Sequence, residues 1–368
     1  MSLLHLPLPS LVVLSVEFET LRLFQNSLEL FPNFSPNIRK LFIVMRQPED
    51  TLCKFEPNYI CRWKTLWSLN CSQVVLDVDA LVHLSSIPGL SCLTFAMDNI
   101  LLASDSPLIF SDLWDLSLQS KSLEPISRLL SQTRLPALTD FCATIDNSPF
   151  RQELTSFFAG LPTSNTGHTL GRLQLTYSTY SPDYVARSAH FPLDFEDLRP
   201  CMVFSNLRVM DLNVECNVDL TNKQVLTLVS AWPKLESLSI NDKWGWNSTG
   251  GITPGGLVQL LQICPSLHWI ALRLDTRGYT EVPANLGWTP SKLSIDVLDA
   301  GIEAESVQAV VAFFCALSAS CPKPDFRLNA WDSGATLEFP NVWEYAERWQ
   351  NIRDQVDTAL GWTFMPFE

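Results

Sequence analysis

Long apolar runs are missing from this sequence. The longest candidate, 307–317, is interrupted by Gln308 and covers about half of a membrane span, so no transmembrane helix is expected. The apolar opening 1–16 has no positively charged start, is broken by Pro7 and Pro9, and offers no small-residue cleavage site, which argues against a secretory leader. Charge is scarce at 17%, and basic charge scarcer still: 25 Lys and Arg against 39 Asp and Glu give a net charge of −14. Such a surface repels phosphate backbones and shows no basic stripe, so nucleic acid is not expected as a partner. Metal motifs are absent as well. The ten cysteines contain no CxxC pair and the five histidines no HExxH, so no metal site is expected. The phosphate-cradling patterns GxGxxG and GxxxxGK[ST] do not occur, and neither does the GxSxG nucleophile elbow. No cofactor is expected, and an enzyme would need a site that no motif announces.

What is present is a folded-protein composition, 46% apolar, in a chain of 368 residues. That exceeds the roughly 250–300 residues at which a single core stops growing, so the chain forms several domains or a solenoid. Cysteines scattered beside apolar residues read as reduced core thiols of a cytoplasmic or nuclear protein.

One phrase recurs: a turn-prone pair, an apolar residue, two variable positions, an apolar residue, one variable, an apolar residue. It begins at Leu11, Ile38, Leu66, Leu90, Leu113, Leu138, Leu170, Leu207, Leu235 and Leu267, and a shortened form surrounds Leu293. The steps run from 23 to 37 residues. Between phrases the apolar spacing changes from two to three and four, predicting helices over 80–87, 123–133, 153–161, 224–232, 255–264 and 306–317. Several end at a proline that opens the next phrase, as in Ile87-Pro88, Trp232-Pro233 and Cys264-Pro265. No such unit buries its own apolar face, so neighbours must stack. The expected fold is an α/β solenoid of leucine-rich repeat type, with a curved parallel sheet on the concave side and helices on the convex side. It should occupy 1–340 in eleven or twelve irregular units, interrupted by irregular loops at 176–203 and 241–254. Residues 341–368 should close it with a capping helix whose apolar face carries Trp343, Ala346, Trp349 and Ile352. The protein should be monomeric.

Strand alternation sends the variable positions of each phrase to the concave wall. Those are Lys40 and Phe42, Ser68 and Asn70, Asp115 and Ser117, Arg172 and Gln174, Val209 and Asp211, Ser237 and Ser239, Trp269 and Ala271. Asn213 and Arg273 lie one step further along their strands. A tryptophan and an arginine standing among acidic and amide groups have the composition of a protein-binding hot spot. The candidate contact residues are therefore Trp269, Arg273, Asp211, Asn213, Arg172 and Gln174, with Trp244 and Trp246 as a second aromatic knob. The plain alternative is that the polar residues are a solvated sheet face and the two loop tryptophans a hydrophobic lid.

The segments FSNLRVMDLNV (204–214), AWPKLESLSI (231–240) and CPSLHWIALRLD (264–275), with the helices between them, resemble the leucine-rich repeats of fungal F-box proteins. That resemblance implies a repeat region that holds the substrate of a cullin-type ubiquitin ligase. Docking on the ligase adaptor would need an F-box upstream of Met1, because Leu11 already opens a repeat strand. The alternative within the same fold is a general, or degenerate, leucine-rich repeat scaffold with no ubiquitin role.

Overall fold

The computed structural model describes residues 11–18, 37–45, 53–54, 63–98, 107–165, 168–178, 192–246, 248, 250–280, 292–319, 326–329 and 342–359. The chain forms two compact units, Met1–Tyr184 and Val185–Glu368.

In the first unit the strands Val13–Phe18, Lys40–Met45, Ser68–Val75, Cys92–Met97, Asp115–Ser120, Asp140–Ile145 and Arg172–Tyr177 lie side by side in chain order. All pair in parallel, and the short Cys53–Lys54 strand adds a further parallel partner to Ser68–Val75. The second unit repeats the plan with Val209–Asn213, Ser237–Ile240, Trp269–Ala271, Leu293–Asp296 and Phe326–Asn329. The α/β solenoid plan is thus present in both units, the main strands of each unit following one another in chain order within its ladder.

From Val13–Phe18 to Trp269–Ala271 the strands of the repeated phrase start two residues later than the phrase suggests, whereas the strand of the shortened phrase starts at Leu293 itself. The first apolar residue of the phrase stays outside the strand and drops into the core: Ile38, Leu66, Leu113, Leu138, Leu170, Leu207 and Leu235 are all fully buried. Hydrogen bonding explains the offset. The carbonyl just before each strand accepts two N–H groups from the next rung, so that of Arg39 takes Trp67 and Ser68, and that of Trp114 takes Thr139 and Asp140. The same fork recurs in the second unit, where the Glu236 carbonyl accepts from His268 and Trp269. A backbone that turns to make this fork cannot also be extended, so the leucine before it points inward.

Beyond the fork, alternation sets one face of each ladder inward. Leu41, Leu69, Leu93, Leu116, Phe141 and Leu173 share one register row, and Met210, Leu238, Ile270 and Ile295 another; all are buried. Helices cover these rows: Val78–Ser85, Leu123–Gln132, Arg151–Ser164, Asn222–Ser230, Pro254–Ile263 and Val307–Ala319. Their starts are fixed by caps the sequence contains. Asp77 accepts from the Ala80 N–H at 2.8 Å, Thr253 from Gly256 at 3.0 Å, and Thr221 and Gln224 bond each other's backbone N–H groups.

The last helix, Val342–Ala359, packs on Val307–Ala319 through Trp349, Ile352 and Val356. The Trp349 indole donates to the Ala300 carbonyl at 2.7 Å. Trp343 does not share that face; it is 81% exposed, because the buried stripe runs 349, 352, 356 and leaves position 343 on the far side. In the loop expected at 176–203, residues 179–191 lie outside the described residues. After them come the Pro192–Leu193 strand, which pairs with Asn217–Val218, a short helix Phe195–Leu198 capped by Asp194, and a 3-10 turn Arg199–Val203.

Candidate protein-binding face

The outward rows of the second unit follow from its register. One row runs Val209, Ser237, Trp269, Ser294, Arg327; the next runs Asp211, Ser239, Ala271, Asp296, Asn329. Trp269 is half-buried between two serines, of which Ser294 is buried. Ser239 and Ala271 are buried too, so the wall position expected at Ala271 is part of the floor rather than a contact. The side chains around Trp269 are short, and the hydroxyls of Ser239 and Ser294 are sealed from solvent. Asp211, half-buried in the same face, has its carboxyl pushed up from the ordinary value, by burial first and then by Asp242.

Asn213 is not a surface contact. It is 3% exposed, donates from Nδ2 to Asp211 Oδ1 at 3.2 Å and accepts the Lys243 N–H at 3.0 Å. The side chain is a strut that ties the end of its strand to the following turn, and both of its amide atoms are used there.

Arg273 also departs from the expected role. Its strand ends at Ala271, and two residues on the guanidinium turns toward Gly250, in the segment expected as the 241–254 loop. There it donates to the Gly250 carbonyl, and its Nε lies 3.9 Å from Asp299 Oδ2. Asp299, 5% exposed, accepts the Trp246 backbone N–H at 2.9 Å. Burial lowers the Arg273 pKa, and the nearby Asp299 carboxylate opposes that shift. The same loop carries Trp246, fully buried with its indole donating to the Ile240 carbonyl at 2.8 Å. Trp246 is therefore core, the lid alternative, while Trp244 beside it stays half-buried. The fit is tight. A Cβ on Gly245 would approach Asp299 Cγ to 2.9 Å, and one on Gly251 would meet the Arg273 carbonyl oxygen at 2.8 Å.

Arg172 and Gln174 belong to the first unit. Arg172 Nε contacts Asp140 Oδ1 at 3.1 Å with the side chain half in solvent, and Gln174 is half-buried in the row Asn70, Thr94, Ser117, Cys142. Both remain on the outward face, as alternation predicts.

Asn241 was not singled out by the sequence. Fully buried at φ 57°, it accepts the Val214 N–H at 3.0 Å and donates to the Cys216 carbonyl at 2.8 Å, bridging one repeat to the next. Its position straight after SLSI, where the strand must end in a left-handed residue, was the available signal, since asparagine tolerates that conformation. Among the described cysteines none is in a disulfide. Cys71, Cys201, Cys216 and Cys264 are buried, and burial pushes Cys201 and Cys216 up to about 12 and Cys264 to about 11. Cys92, Cys142 and Cys315 are half-exposed instead, because the first two occupy outward rows. The side chains of Cys53, Cys61 and Cys321 lie outside the described residues. Among the described residues no group of three or more His, Cys, Asp or Glu could hold a metal, and no helix is long and apolar enough to cross a membrane.

No protein-family model and no curated protein matches this sequence. Among solved structures, the chain is similar to one in the TLR13–ssRNA13 complex, with 17% identity over 83% of this chain and a TM-score of 0.39. It spans 35% of that protein's length. It is also similar to a chain of the complex of Rad7 and Elc1 in yeast, with 13% identity, 88% of this chain and 77% of that one covered, and a TM-score of 0.41. The α/β repeat fold itself rests on the parallel register and the helices between the strands.

Proposed function

We propose that this chain is a non-catalytic protein-binding scaffold that uses the outward face of its parallel sheet. The observation that carries the reading is Trp269, a half-buried indole on the outward row of its strand, among the short, buried side chains of Ser239, Ala271 and Ser294. A tryptophan so placed offers a large, rigid surface with little rotamer entropy to lose, which is what an interface centre requires. Asp211 and Asp296 flank the small residues of the adjoining row. With the net charge of −14 they favour a basic or neutral protein segment and disfavour nucleic acid.

The test compares wild type with Trp269→Ala in affinity capture, and both in thermal melts. The reading expects loss of a specific partner, by about 2 kcal/mol or more in a subsequent titration, with the melt unchanged. Partner retention, or a change in the melt with no change in capture, would refute it.

The narrower assignment, the substrate-holding repeats of an F-box-type ubiquitin ligase receptor, is supported by the resemblance of 204–214, 231–240 and 264–275 to fungal F-box proteins. It expects the ligase adaptor to be recovered together with the partner. Recovery of the partner without the adaptor favours the general scaffold.

A further inference from the structure

Trp67 and Trp114 occupy equivalent places in the first unit, each the last residue before its strand. The Trp67 carbonyl accepts from Ser91 and Cys92, and the Ser91 carbonyl from Trp114 and Asp115, so the two tryptophans are two rungs apart with Ser91 between them. At roughly 4.8 Å per strand their backbones lie about 10 Å apart. Their exposures are 39% and 40%, whereas Trp63, Trp232, Trp246 and Trp349 are fully buried. The two therefore place two large aromatic surfaces, each partly open to solvent, in one small region.

The adjoining outward row gives the surface its chemistry. It runs Lys40, Ser68, Cys92, Asp115, Asp140, Arg172. Lys40 Nζ lies 4.5 Å over the Trp67 ring, so this edge already holds one cation on one indole. Among the described residues no cation stacks on Trp114. Asp115 and Asp140 face each other across neighbouring strands, a like-charge pair that is unfavourable in a sheet. Arg172 binds Asp140, and Thr139 donates to it as well. The Asp115 carboxylate makes no hydrogen bond or ion pair among the described residues. Arg172, bound to Asp140, reaches Asp115 only as a through-space charge, so two carboxylates share one arginine and the indole beside them holds no cation.

We infer that Trp114 and Asp115, with Trp67 as the second wall, receive an arginine side chain of a partner protein. The guanidinium plane stacks on the Trp114 indole while its N–H fork bonds the Asp115 carboxylate, supplying the charge this pair of aspartates lacks. Lysine has no fork and satisfies only half of the arrangement. A phosphate backbone is repelled by the same carboxylates. The inference rests on the protein-binding reading but locates a contact in the first unit and names the chemistry it takes.

The intact chain is titrated by calorimetry, at about 0.15 M salt, with end-capped tetraarginine and tetralysine peptides. Tetraarginine should bind and tetralysine bind more weakly. Asp115→Asn and Trp114→Ala should each weaken tetraarginine by about tenfold or more, with Asp115→Asn melting no lower than wild type. The proposal is overturned if Asp115→Asn binds as well as wild type. It is overturned equally if the two peptides bind alike and both are lost on raising salt, which is general attraction to an acidic protein. Absence of tetraarginine binding also overturns it, yet leaves the Trp269 reading standing, since that is scored by capture with Trp269→Ala. Loss of tetraarginine binding in Trp269→Ala alone would move the arginine site to the second unit and likewise overturn the assignment.

Discussion

Asn241 and Asp115 are both single polar side chains in repeat positions, with opposite consequences for stability. Asn241 satisfies a buried N–H and a buried carbonyl that have no water to turn to. Asn241→Ala removes both bonds and places an alanine at φ 57°, so it should destabilise by about 2–4 kcal/mol in denaturant melts. A cost below about 0.5 kcal/mol would mean the bridge is dispensable. Asp115 is the reverse case. Burial and Asp140 raise its carboxyl above the ordinary 3.8, so the folded state holds its proton at pH values where the unfolded chain has released it. Stability then falls as pH rises from about 4 through the raised value. Asp115→Asn has no such proton, so its melting temperature relative to wild type should climb over that window and level off above it. A difference that is flat with pH would contradict the assignment. The Asp115 behaviour was not legible in the sequence, because it depends on Asp140 standing opposite on the next strand; for Asn241 the sequence offered only the need for a left-handed residue after SLSI.

At the scale of strands and helices the sequence was a good guide to order and type. Amphipathic spacing located the helices Leu123–Gln132, Asn222–Ser230 and Pro254–Ile263 to within about two residues. Strand starts were displaced because hydrophobicity reports burial, and the first leucine of each phrase is buried without being extended. The face assignment survived that displacement: a shift of two residues preserves strand alternation, whereas a shift of one would have inverted it. Leu238, paired with Ile270 in the buried row, illustrates the point. Leu238→Ala should cost about 2–5 kcal/mol, with increased amide exchange first in the two flanking strands. A cost below about 1 kcal/mol would place it outside the core. The alternation rule failed where strands stop. Arg273 and Asn213, assigned outward by extrapolation beyond the regular ladder, are bound into loop contacts, and Trp246 is core because its indole has a carbonyl to bond within the fold.

Across the whole molecule each ladder is two-sided, with one row set sealed beneath helices and the other facing outward. The native cysteines sample both sides without any engineering. Cys92 and Cys142 stand half-exposed in outward rows, and Cys71, Cys201, Cys216 and Cys264 are buried. The direct measurement is site-resolved alkylation of the folded chain by iodoacetamide, followed by mass spectrometry and compared with the denatured chain. Cys92 and Cys142 should be modified in the native state, slowly at Cys92 because its thiol is shifted upward by burial and Asp115, while the four buried thiols stay protected until unfolding. Native labelling of Cys71 and Cys264 with protection of Cys92 and Cys142 would mean that the faces are reversed, and the binding surface proposed on them would fall with the register.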